Sequence, residues 1–359
     1  MSFWINLKNN NKPFFCLAPM ADVTDVAFRQ LISKYGKPDV MWTEFVSANG
    51  LASQGRDALL IDLKYEEIER PIVAQIFSSN INNIETVSKL ICDLGFDGID
   101  INMGCPDKTI EKQGAGAAMI KTPEIAVDIK RAVKRGIKTS GKNIPLSVKT
   151  RVGYNDVEIN KWISVLLAEG IDALTVHART RKDMSKVPAN WDYIKEVVKL
   201  RDNLSPNTVI IGNGDVISIQ DGINKAEISG CDGVMVGRAL FGNPWFFDKE
   251  RSVIASLPKK YPKWIRNIPF FKKYFDTKRQ AANSNLRPIT VSERLNIMVE
   301  HTKLFESLLG KYKNFSIMKK HFKAYATGFD NAKELRINLM ETKNSSEVEV
   351  LVNNFLTKE

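Results

Sequence analysis

The 359-residue chain is 43% hydrophobic and 26% charged, the balance of an ordinary globular protein. It has no apolar run near the roughly 18 residues needed to cross a bilayer, which excludes a helical membrane protein. Its net charge is +11, unevenly placed: residues 251–359 hold 21 Lys and Arg against 10 Asp and Glu, while residues 1–250 hold 31 of each. Charge gathered into one module reads as a footprint for a polyanion; a solvated basic surface is the plainer alternative. The segment from Met1 to Asn11 is polar and Asn-rich and lacks the apolar core of a signal peptide, so a cytoplasmic protein is expected. Cys16, Cys92, Cys105 and Cys231 are scattered with no C-x-x-C pair. No disulfide framework and no metal site is therefore expected.

In chain order, short apolar runs alternate with helical patterns. Strands are predicted at Phe14–Ala18, Val40–Phe45, Ile72–Phe77, Gly98–Asn102, Leu146–Thr150, Ala173–His177, Val209–Asn213 and Gly233–Val236. Amphipathic stretches such as Ile84–Leu94, Pro123–Arg135 and Val157–Ala168 lie between them. Strand and helix alternating eight times predict an α/β fold, a (β/α)8 TIM barrel over residues 1–250; a doubly wound sheet is the alternative. Residues 251–289 are basic, without clear period, and interleaved with Tyr261, Trp264, Phe270, Phe271, Tyr274 and Phe275. They read as a linker or insertion. Thr290 to Glu293 has capping-box spacing. Leu295, Met298, Phe305 and Leu309 follow as a helical stripe that Gly310 can stop, and Met318, Phe322 and Tyr325 mark a second helix. Residues 290–359 thus form a C-terminal all-α helical domain.

Active sites of such barrels sit at the C-terminal strand ends. Polar or reactive residues stand there after the apolar runs: Pro19 and Met20, Glu44, Gln75, Asn102, Lys149 to Arg151, His177 to Arg179, Asn213 to Asp215, and Gly237 with Arg238. After the fourth strand, Asn102-Met103-Gly104-Cys105-Pro106 makes a turn that lifts a thiol over the barrel mouth.

This segment resembles the active-site segment of the tRNA-dihydrouridine synthases. Further matches are Ala18 to Asp25, Gly114 to Ala117, Val148 to Arg151, Val176 to Arg181, Gly212 to Asp215, Val236 to Arg238 and Gly242 to Trp245, with a weaker echo at Lys320-His321. The likeness runs through residues 14–248 in order. It implies an FMN-dependent barrel oxidoreductase with a C-terminal helical domain that binds tRNA. In that family reduced FMN passes hydride to C6 of a uracil, an acid protonates C5, and NADPH (or NADH) restores the flavin.

The resemblance assigns roles. Cys105 is the expected acid, since a thiol with a pKa of about 8.5 is mostly protonated near neutrality. Lys149 would stabilise negative charge on the reduced flavin. Asn213, Gly214, Asp215, Gly237 and Arg238, after strands seven and eight, suit the FMN phosphate. Pro19, Met20 and Ala21 would line the flavin ring, Gln75 would meet its polar edge, and His177 would contact the flavin or its phosphate side. Asn102 would read the uracil edge, and Arg151, Arg179 and Arg181 would reach substrate RNA. The base must leave its stack to react. A monomer is expected.

Where the family often has Tyr-small-Gly before Ala-x-Trp, this chain runs from Lys182 to Trp191 without that Tyr and Gly, which leaves open the uridine position. Two other functions fit less of the sequence: an FMN barrel dehydrogenase acting on a free pyrimidine or other small molecule, and a non-catalytic tRNA-binding protein.

Overall fold

The computed structural model describes residues 2–10, 13–248 and 289–357; most of the basic stretch at 251–289, including its six aromatics, lies outside them. Eight strands form one parallel sheet in the order β1-β8-β7-β6-β5-β4-β3-β2. They are β1 Phe14–Leu17, β2 Met41–Ser47, β3 Ile72–Phe77, β4 Gly98–Met103, β5 Leu146–Arg151, β6 Ala173–His177, β7 Val209–Asn213 and β8 Gly233–Val236. A parallel bridge between Cys16 and Val40 joins β1 to the residue before β2 and closes the sheet into the expected barrel. Nearly every strand residue is buried, as a parallel sheet covered on both faces requires.

The outer helices follow from their caps and apolar faces. Asn80 accepts the Asn83 N–H at 3.0 Å and starts the helix Ile81–Asp93. Pro123 opens Pro123–Thr139, where a missing N–H costs nothing. These helices cross closely at Gly136, where a Cβ would stand 2.3 Å from the Glu85 carbonyl oxygen. The expected helix at 157–168 is instead a π-turn, Ile159–Ile163, followed by one α-turn, Ser164–Ala168.

The sequence reading missed a helix at Phe3–Asn9, capped by Ser2. Its anchor is Trp4, 1% exposed. Trp4 packs 5.7 Å from the Trp42 ring and within a cluster that includes Phe14, Val40, Val73, Ala173 and Val209. These residues lie at the N-terminal ends of their strands, so the cluster fills the end of the barrel opposite the strand C-termini.

By Cα proximity the chain divides into two compact units, one of residues 1–30, 38–216 and 220–237 and a second of residues 31–37, 217–219 and 238–359. In the second unit the Thr290–Glu293 capping box forms, and Val291–Leu309 buries Leu295, Met298, Phe305 and Leu309. Lys319–Tyr325, Ala332–Glu341 and Ser345–Leu356 complete the helices. His301 and His321 are fully buried there, ring centroids 4.5 Å apart. Among the described residues no helix is long and apolar enough to cross a membrane.

Two outcomes follow. Trp4→Ala removes the plug and lowers unfolding free energy by about 3–5 kcal/mol, measured by urea titration. Burial holds His301 far below the ordinary imidazole range and His321 down to about 3. The unfolded chain takes up protons first, near pH 6.5, so stability is intact above that value and declines as pH falls below it. The melting temperature should drop between pH 7 and pH 4, and His321→Phe should flatten the decline.

Candidate active site

The fourth strand ends in a turn built around one side chain. Asn102 Oδ1 accepts the backbone N–H groups of Gly104 at 3.1 Å and Cys105 at 2.9 Å. Gly104 lets the turn pass close to β5, since a Cβ there would lie 3.1 Å from Thr150 backbone atoms. Arg151 Nε donates to the Gly104 carbonyl at 2.7 Å, and Ala117 N donates to the Cys105 carbonyl at 2.9 Å. Gly116 takes φ +61° beneath that carbonyl, where a Cβ would stand 2.7 Å from the oxygen. The backbone of Cys105 is thus held from three elements. Its side chain is partly exposed, whereas Cys16, Cys92 and Cys231 are buried. Burial raises the Cys105 thiol above its ordinary value, against the pull of Lys149 and Arg151. The thiol is therefore a protonated donor at neutral pH.

Lys149 stands opposite Asn102 in the register of β4 and β5. It is partly buried, and its Nζ makes no hydrogen bond to the described residues. Burial, reinforced by Arg151, lowers its ammonium to about 8, while Asp100 and Cys105 pull it upward.

Gln75, on β3, is fully buried. Its Oε1 accepts from Asn102 Nδ2 at 3.0 Å, and its Nε2 donates to Asp100 Oδ2 at 2.6 Å. On the β1 side, Met20 N donates to Thr24 Oγ1 at 2.9 Å, and Asp22, at φ +52°, donates its N–H to Glu44 Oε1 at 2.5 Å. Ala18 N bonds to the Val236 carbonyl at 2.8 Å. A Cβ on Gly237 would sit 3.4 Å from both Ala18 Cβ and Met20 Sδ. Pro19 is buried, Met20 half-buried and Ala21 exposed. Arg238 follows Gly237 and opens the turn Arg238–Leu240.

His177 ends β6 opposite Asn213. Arg179 Nη1 lies 3.0 Å from His177 Nε2. The same guanidinium pairs with Asp215 through Nη2 and donates from Nε to the Val187 carbonyl at 2.7 Å. Gly214 adopts φ +136° beside Ala189, and Asp215 adopts φ +48°. Asn213 Nδ2 donates to the Met235 carbonyl at 2.9 Å. Arg181 forks onto Glu111 and lies over the Tyr154 ring, 5.4 Å from its centroid. Arg151 also donates to the carbonyls of Thr180 and Met184, at 3.1 and 3.2 Å. The structure gathers Arg151, at the end of β5, with Arg179 and Arg181, on the loop that follows β6, each engaged with protein acceptors.

Sequence reasoning gave Asp100 no role, although it opens the segment that runs to Pro106, and did not single out Ser147, Glu111 or Tyr154. Only Asp100 left a usable signal: two positions before Asn102, it shares that residue's face of the strand.

With this arrangement in view, the family model described as dihydrouridine synthase (Dus) matches residues 16–358. The chain belongs to the dihydrouridine synthase family. It is 37% identical over 359 residues to a Bacillus subtilis (strain 168) protein named probable tRNA-dihydrouridine synthase 2, covering 99% of this chain and 97% of that one. A Staphylococcus aureus (strain MRSA252) probable tRNA-dihydrouridine synthase is 34% identical over 357 residues, covering 99% and 95% of the two chains.

In this dihydrouridine synthase family member the exposure pattern sets an order of thiol reactivity. Iodoacetamide should modify Cys105 before the other three cysteines, and its rate should keep climbing above pH 8.5, because thiolate forms only as pH passes the raised value. Peptide mass spectrometry across a pH series checks both.

Proposed function

We propose that the chain reduces the C5–C6 double bond of specific uridines in tRNA, with FMN as the bound flavin and NADPH (or NADH) as the reductant. The observation that carries this reading is the Cys105 thiol, protonated and pinned above the end of β4, with the Lys149 ammonium on the adjoining strand. The names of the relatives support the tRNA substrate, and the basic excess in residues 251–359 suits a phosphate backbone.

The residues present fit a flavin mononucleotide. Lys149 supplies a cation with no hydrogen-bonding partner among the described residues, suited to an anionic ring edge. At the junction of β1 and β8 a Cβ on Gly237 would touch Met20, so the glycine leaves room beside that side chain. Gly214, at φ +136°, suits a turn that would let a phosphate approach the backbone, and the resemblance gives Arg238 the role of a charged fork. When bound, the reduced flavin supplies hydride to C6 of the uracil.

Cys105 supplies the proton. Its S–H bond breaks as the C5–H bond forms, leaving a thiolate. Lys149 and Arg151 both favour that anion. Asn102 keeps one amide N–H for a base, having committed its oxygen and its other N–H to the turn and to Gln75. Raised by burial, the thiol remains a donor through neutral pH and is lost as pH climbs past its value, so the rate should fall on the alkaline side.

The decisive experiment incubates purified chain, FMN, NADPH and unmodified tRNA and measures dihydrouridine by mass spectrometry. Wild type forms it, and free uridine stays unreduced. Cys105→Ala slows the step by about 10²–10⁴, the usual contribution of a positioned acid, while NADPH still bleaches the flavin. Absence of dihydrouridine with the wild-type chain would overturn the assignment.

A further inference from the structure

Five hydrogen bonds run in one line beneath the Cys105 turn. Ser147 Oγ and Gln75 Nε2 each donate to Asp100 at 2.6 Å. Asn102 Nδ2 donates to Gln75 Oε1 at 3.0 Å, and Asn102 Oδ1 accepts from the N–H groups of Gly104 and Cys105. The four side chains are 0–5% exposed. Gln75, Asp100 and Ser147 are direct neighbours in the register of β3, β4 and β5.

An amide donates at one end and accepts at the other, so its direction in a chain of bonds is set by its neighbours. One end of this chain is a carboxylate, which only accepts. The other end is two backbone N–H groups, which only donate. A single orientation of Gln75 and Asn102 satisfies both ends. Turning either amide would set oxygen against oxygen or N–H against N–H in a buried site, where such a mismatch is costly.

We infer that Asp100 is a positioning residue for the reaction: through Gln75 it fixes the direction of the Asn102 amide, and through Asn102 it holds the Cys105 thiol in its working position. The catalytic part rests on the reading of Cys105 as the acid; the structural part stands without it. Lys149, on the adjoining strand, is the charged group that acts on Asp100.

The chain can be broken and remade without changing its shape. Gln75→Glu sets a carboxylate against Asp100. Adding Asp100→Asn restores a donor facing an acceptor at every link and returns the buried charge to one. The probe is the rate of Cys105 modification by iodoacetamide, which needs neither flavin nor tRNA and so decides the matter even if no dihydrouridine forms. Gln75→Glu should raise that rate on the order of tenfold, the scale of one lost buried hydrogen bond, and should lower the turnover of tRNA more than its KM. The double variant should return to within about threefold of wild type, the scatter of additive substitutions. Wild-type reactivity in Gln75→Glu, or a double variant no better than the single, sinks the inference. Asp100→Leu removes the acceptor on which Gln75 and Ser147 converge and leaves no charge behind. It should raise the modification rate of Cys105 in the same sense as Gln75→Glu, and it decides alone if the Gln75 variants do not fold; wild-type reactivity in Asp100→Leu overturns the proposal.

Discussion

The barrel depends on the seam where its first and second strands meet. Leu17 N donates to the Val40 carbonyl at 3.1 Å, and Asp39 N donates to the Phe15 carbonyl at 2.9 Å. Asp39 also takes the Phe15 N–H on its carboxylate at 2.7 Å. Without these bonds β1 and β2 would be raw edges with unpaired backbone groups. With them, all eight C-terminal strand ends share one rim. The closed register makes neighbours of residues distant in sequence: Asn102 and Lys149, Arg151 and His177, His177 and Asn213.

Cations on that rim serve the loops as much as any ligand. Arg151 and Arg179 are 7% and 2% exposed. Burying a guanidinium is costly unless its N–H groups are met, and here backbone carbonyls and Asp215 meet them. Their acceptors include the carbonyls of Met184 and Val187, whose side chains point to solvent. The loop from Lys182 to Trp191 is therefore fixed through its backbone and unconstrained in much of its side-chain chemistry.

Much of the barrel was legible in the sequence because parallel strands buried on both faces read as continuous apolar runs. The bounds of β3, β6, β7 and β8 coincide with those runs, and the others shift by one or two residues. Phe3–Asn9 escaped notice because one tryptophan, not a repeating stripe, anchors it. At 157–168 the apolar period was visible but not the wider turn that Ile159–Ile163 adopts. Near the thiol, the Gly-Cys-Pro turn and the lysine on the next strand could be read from their places at strand ends. The bonds joining Asp100, Gln75, Asn102 and Ser147 could not, because the partners come from three strands and meet only through register. The arginines at 151, 179 and 181 stood out as charges, whereas their engagement with carbonyls and carboxylates belongs to tertiary structure.

The packing around Trp4 sets the shape of the barrel as well as its stability. With Trp4, Trp42 and Phe14 stacked into its floor, the barrel is a cup and not a tube. That end of the barrel is closed by side chains, and the residues named on the rim lie at the other.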